Sequence, residues 1–245
     1  LEGFRKISRN KMFKPIIPYY ITQILYQQSK YDELISYAPS YMDSITEKRK
    51  GEFAKLIADS YFKNKNFKTS LSYYKIFKKY AKSSRESNYQ VAYCYYKTKD
   101  LRKAIELFSR VAYKEDSLSQ ICYYHMADSY LKLDEKDYAR NAFQKASKLD
   151  FDEEIKRNSL FNYAKLAYEL SYNPYDEAIN SFQQFIDQYP NSEDAKEAYE
   201  FLLKVYLTTK NYDDALKSME KIKNKDPRMQ KAYQSIVYNR AVEQY

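Results

Sequence analysis

Apolar residues in this chain recur three and four positions apart, in blocks that short polar stretches interrupt. That spacing puts them on one face of an α-helix, whereas a half-buried strand would alternate. Ile57 and Tyr61, then Leu71 and Tyr74, make two such stripes on either side of Lys63-Asn64-Lys65-Asn66. Two amphipathic helices with so short a joint form a hairpin. The hairpin then repeats. Ala58, Tyr61, Phe67, Ser70 and Tyr74 return 34 residues on as Ala92, Tyr95, Leu101, Ala104 and Phe108, and 35 residues later as Ala127, Tyr130, Ala139, Phe143 and Ala146. Ala164, Ala167, Tyr175, Ala178, Phe182 and Pro190 make the next copy, with its loop lengthened at Ser171-Tyr172-Asn173-Pro174. Leu203, Tyr206, Tyr212, Ala215, Met219 and Pro227 form another copy, and Thr22, Leu25, Tyr31, Leu34 and Ala38 a degenerate one upstream.

The expected units are therefore 15–47, 51–84, 85–118, 120–153, 157–191 and 196–229, in one domain, with 230–245 as the first helix of a truncated seventh. A single hairpin cannot bury both its faces, so consecutive hairpins stack. The small residues Ala92, Ala104, Ala127 and Ala139 allow close approach while Tyr95, Phe108, Tyr130 and Phe143 fill the space between helices. Helix starts are expected at Asp116-Ser117 and Asn191-Ser192-Glu193-Asp194, with Pro190 and Pro227 closing the helices before them. The chain begins with Leu and stops inside an expected helix, which reads as a piece of a longer protein.

This arrangement resembles the tetratricopeptide repeat, a 34-residue helix-turn-helix unit with small and aromatic residues at fixed places. The likeness covers roughly residues 15 to 245 and is sharpest over Ala92 to Val111 and Ala127 to Ala146. The family's glycine is replaced by Ala58, Ala92 or Ala127 and its tryptophan by Tyr123, Tyr199 or Tyr233. What the resemblance implies is an all-α, right-handed solenoid that binds other proteins on its inner face and holds no cofactor. Phe182 to Ser192, followed by Ala195, Ala198-Tyr199, Tyr206 and Asn211 to Ala215, is similar to the repeats of bacterial envelope proteins: the Tol-Pal-associated periplasmic protein and a lipoprotein of the outer-membrane β-barrel assembly machine. The periplasm or cell envelope of a Gram-negative bacterium is expected on that ground ahead of the cytoplasm, where the same phrase also occurs.

Composition narrows the chemistry. Two glycines among 245 residues cannot supply the turns of a sheet-rich fold, and neither stands in a phosphate-cradling motif. Cys94 and Cys122 match no zinc or redox spacing and read as packing residues. His125 is the single histidine, so multi-histidine metal sites are excluded, and it reads as a helix-surface or groove-lining imidazole. The pairs Asp213-Asp214, Glu153-Glu154 and Asp176-Glu177 fall at expected helix starts, where they complement the helix dipole rather than form paired catalytic acids. No enzyme emerges. Residues 1–100 carry 20 basic and 9 acidic groups, residues 101–200 carry 13 and 19. Lys63, Lys65, Lys68, Lys75, Lys78, Lys79, Lys82 and Arg85 stand in a stretch without an acid, and Lys75, Lys78, Lys79 and Lys82 share the outward side of one helix. Such a field attracts nucleic acid or anionic surfaces, the alternative to protein binding.

On the resemblance, the inner face is lined by three positions of each first helix: Tyr19, Gln23 and Tyr26; Lys55, Asp59 and Phe62; Tyr89, Tyr93 and Tyr96; Tyr124, Asp128 and Leu131; Phe161, Lys165 and Tyr168; Glu200, Lys204 and Leu207. A tyrosine-rich groove suits an extended or helical segment of a partner, because tyrosine offers large contact area with few rotatable bonds. The family's Lys and Asn clamp for a carboxylate is not expected, since Asp59, Tyr93 and Asp128 stand where asparagine is wanted.

Overall fold

The computed structural model describes residues 16–170, 177–208, 212–220 and 226–245. The segment Leu1 to Lys14, the loop at Ser171 to Pro174, Tyr175, Asp176 and Asn211 lie outside the described residues. Thirteen α-helices occur among the described residues and no strand does. They are α1 (Ile17–Gln27), α2 (Tyr31–Tyr37), α3 (Glu47–Lys63), α4 (Phe67–Tyr80), α5 (Arg85–Lys97), α6 (Leu101–Val111), α7 (Ser117–Lys132), α8 (Lys136–Lys148), α9 (Glu153–Leu170), α10 (Glu177–Gln188), α11 (Glu193–Thr208), α12 (Tyr212–Glu220) and α13 (Pro227–Glu243). The chain divides into two compact units, Leu1–Val111 and Ala112–Tyr245, and within each the helices stack as a stretch of α-solenoid.

The joints explain why helices pair. At the ends of α1, α3, α5 and α7, the backbone turns through a left-handed residue: Ser29 (φ 56°), Lys65 (59°), Lys99 (66°) and Asp134 (58°). The next residue donates its N–H back over that turn, Lys30 to Leu25 O, Asn66 to Tyr61 O, Asp100 to Tyr95 O and Glu135 to Tyr130 O, at 2.9 to 3.0 Å. This closes the helix and satisfies carbonyls that would otherwise lack partners. Asn66 and Asp100 then cap the next helix, accepting from the N–H groups of Thr69 (3.2 Å) and Lys103 (3.4 Å). One residue stops a helix and its neighbour starts the next. A spacing of 34 to 36 residues between the left-handed positions carries the sequence period into the backbone.

Small residues sit at the helix contacts. Ala58, Ala92, Ala104, Ala127, Ala139, Ala164, Ala178, Ala198 and Ala215 are completely buried, and so are Phe108, Phe182 and Phe185 between them. Burying each such ring contributes about 1.5–3 kcal/mol. Gly51 marks a close approach: a Cβ there would lie 2.8 Å from the Ala81 Cβ and 3.3 Å from backbone. Buried polar groups bridge the hairpins. Gln120 donates to Leu149 O at 2.6 Å and accepts from the Asp152 N–H at 2.7 Å, tying α7 to the α8–α9 connection.

Two expectations about helix ends change. Pro227 opens α13 rather than closing the preceding helix; Asp226 caps it, accepting from the Met229 N–H at 2.7 Å. Proline suits that place because the first helical residue needs no amide proton and its φ is already fixed near the helical value. Lys82 does not continue the α4 face, because α4 ends at Tyr80.

Candidate partner-binding faces

In the first unit the positions expected to line the groove on α1, α3 and α5 lie near one another. Burial and the charge of nearby Asp59 push the Tyr26 phenol up to about 12. Phe62 reaches across to Tyr93 with ring centroids 5.6 Å apart, and Tyr93 continues to Tyr89 (6.1 Å) and Tyr96 (5.8 Å). Tyr26, Phe62, Tyr89, Tyr93 and Tyr96 are each half-buried.

Three of the anticipated groove residues are buried instead. Tyr19 is 7% exposed; it donates to Glu52 Oε2 at 2.6 Å, accepts from Gln23 at 2.9 Å and lies under the Arg49 guanidinium. Asp59 is 2% exposed. Its carboxylate accepts from the Tyr74 hydroxyl at 2.5 Å and from Lys55 Nζ at 2.7 Å. Burial, then the Asp59 charge, pushes the Tyr74 phenol far up. Phe161 packs on Phe185, 5.1 Å between centroids. These side chains hold the face together from behind. Helical spacing could not say how far each helix is rotated against its neighbours.

In the second unit Tyr124 packs edge-on to Phe143 (6.1 Å), and Asp128 pairs with Lys132 at 2.5 Å. Lys165 is ion-paired with Glu197 at 2.8 Å and lies over the Phe161 and Phe201 rings. Tyr168 meets Phe201 edge-on at 5.5 Å, and exposed Lys204 lies 5.4 Å above that ring. Phe201, absent from the anticipated set, is the hub here. Its place one residue after Glu200 put it off the expected face.

Of the basic residues, Lys63, Lys65, Lys68, Lys75, Lys78, Lys79 and Lys82 are exposed. Arg85 is half-buried and donates from Nε to Val111 O at 2.7 Å. Partial burial and the Arg110 charge hold the Lys78 ammonium below its ordinary range. Lys63, at the end of α3, and Lys65, in the joint that follows, join Phe62, Phe67, Tyr93 and Lys97 around a cavity of about 410 Å³. Phe67 and Lys97 were not anticipated. The period could have flagged Lys97, which repeats Lys63 after 34 residues.

Cys94 is buried, donates to Ser70 Oγ at 3.6 Å, and has its thiol pushed up to about 11 by burial, which suppresses the reactive thiolate. Among the described residues no group of three or more His, Cys, Asp or Glu is placed to hold a metal ion, and no helix is long and apolar enough to cross a membrane.

The tetratricopeptide-repeat family matches residues 158–192, and the family of anaphase-promoting complex, cyclosome, subunit 3 matches residues 63–146. Both matches fall on the stacked hairpins. The chain carries tetratricopeptide repeats. Its fold is similar to that of YrrB, a tetratricopeptide-repeat protein described as having an unusual peptide-binding site (15% identity, TM-score 0.51, 79% of this chain and 91% of that one). It is also similar to the C-terminal part of a repeat protein from Cytophaga hutchinsonii (16%, 0.61, 94% and 92%) and to one from Parabacteroides merdae (12%, 0.54, 100% and 89%). At such identities the likeness concerns the fold. No curated protein matches this tetratricopeptide-repeat chain.

Proposed function

We propose that this protein is a non-catalytic scaffold whose first unit binds an extended or helical segment of a partner protein along α1, α3 and α5. The observation that carries the reading is the contiguous row of half-buried rings, Phe62 on Tyr93 and Tyr93 between Tyr89 and Tyr96, on adjacent helices. Rigid aromatic side chains already ordered by their neighbours lose little freedom on binding, which favours affinity. The peptide-binding site named for YrrB lends support through a similar fold. Selection from a displayed random-peptide library is the test. The wild-type chain should enrich ligands, and Tyr26→Ala with Tyr96→Ala should lose them while circular dichroism stays helical. Ligands that bind this double variant undiminished would refute the assignment of the face.

A second reading rests on Lys68, Lys75 and Lys79 of α4, exposed and in no ion pair among the described residues. That surface would bind polyanions, with retention on heparin that falls steeply with salt.

A further inference from the structure

The cavity between the ends of α3 and α5 has a chemistry of its own. Phe62, Phe67 and Tyr93 form a triangle whose three centroid distances are all 5.6 Å. Lys63, Lys65 and Lys97 surround it. None of the three is in an ion pair among the described residues, whereas Lys55, Lys103, Lys132, Lys136, Lys156 and Lys165 each have a carboxylate within 3.0 Å.

We propose that this cavity takes one large apolar side chain of a partner segment, flanked by acidic residues that meet the three ammonium groups. This deepens the protein-binding reading and rests on it. Charge complementarity selects the acidic flanks: no acid occurs between Ser60 and Arg85 in sequence, and the cavity lining of Phe62, Phe67, Tyr93 and the three lysines contains no carboxylate. The rings select a side chain rather than a nucleobase. A base must lie flat on an open ring face. Here Lys97 Nζ covers the faces of Tyr93 and Tyr96 at 5.2 and 5.3 Å, and Phe62 and Phe67 meet edge to face at 80°.

The probe is a fluorescein-labelled peptide, Gly-Glu-Asp-Phe-Asp-Glu-Gly, titrated with the whole chain by fluorescence anisotropy. Replacing its Phe by Ala should weaken binding by roughly tenfold or more, the value of one buried ring. Lys63→Gln, Lys65→Gln and Lys97→Gln together should weaken it on the order of tenfold and flatten its salt dependence, with helicity unchanged because all three are surface groups. Lys75→Gln with Lys79→Gln, on the outer face, should leave it unaltered. Equal binding of a Gln-Asn-Phe-Asn-Gln peptide, equal loss in the outer-face variant, or displacement by single-stranded oligothymidylate at lower concentration would overturn the proposal. Library ligands that need Tyr26 and Tyr96 but ignore the three lysines would overturn it while leaving the scaffold reading intact; loss of both would remove the two together.

Discussion

Asp59 decides whether the inner face of α3 is a binding surface or a support, and a double-mutant cycle with Tyr74 measures which. The Tyr74 hydroxyl is completely buried and donates to Asp59 Oδ1 at 2.5 Å, while Oδ2 is held by Lys55 at 2.7 Å. Tyr74→Phe removes only that hydroxyl and leaves no cavity, so its cost is the charge-assisted hydrogen bond, about 1.5–3 kcal/mol. Asp59→Ala costs about as much or more, because it leaves the hydroxyl buried without an acceptor and also releases Lys55, whose partly exposed pair adds at most about 1 kcal/mol. The double variant should fall short of the sum by about 1.5–3 kcal/mol, since the same bond is lost only once. Urea unfolding followed by far-ultraviolet circular dichroism gives the energies. Hydrogen exchange at Ala58 to Ser60 localises them, which matters because a repeat array need not unfold in one step. Tyr74→Phe within about 0.5 kcal/mol of wild type, or simple additivity in the double variant, would refute the reasoning and return Asp59 to the set of partner-facing residues.

Gln120→Leu should destabilise the second unit by about 2–4 kcal/mol, since the Leu149 carbonyl and the Asp152 amide each lose a buried partner; accelerated exchange of the Asp152 amide is the local readout. Lys99→Gly should stabilise by about 0.5–1 kcal/mol in denaturant titration, because the relief of the left-handed backbone (φ 66°) exceeds the added freedom of the unfolded chain. Alkaline pH should unfold the protein through its raised tyrosines. Tyr19, Tyr26 and Tyr163 are pushed up to about 12, first by burial and then by Glu52, Asp59 and Glu177 respectively. A raised phenol favours the protonated native state, so this stability is complete below pH 10 and is lost as pH rises from 10 through 12. Absorbance at 295 nm against circular dichroism checks it: all 30 tyrosines titrating near 10 with helices intact would contradict the structure.

Much of the candidate site was legible because the period of the sequence is also the period of the backbone. Phe62, Tyr89, Tyr93 and Tyr96 were placed by counting from Ala58 and Ala92, and they do meet. Phe67, Lys97 and Phe201 were missed because each lies at a helix end or one residue off the counted face. Tyr19, Asp59 and Phe161 were read as ligands of a partner because a polar or aromatic residue on the right face looks the same in sequence whether its neighbour is solvent or another helix. Pro227 shows the same limit locally: proline forbids a helix interior, yet it suits a first turn as well as a loop beyond a last one.

By itself the sequence determined that this chain is helical, that its helices pair and that the pairs stack, since apolar spacing, the shortness of polar joints and the recurrence of alanine are properties of neighbours along the chain. Tertiary structure alone decided which charges are spent inside and which stay available. Asp59 and Lys55 neutralise each other within a helix wall, while Lys63, Lys65 and Lys97 converge on three rings without an acid among them. That difference depends on the rotation of one helix against the next, a few ångströms in space that no spacing in the sequence encodes.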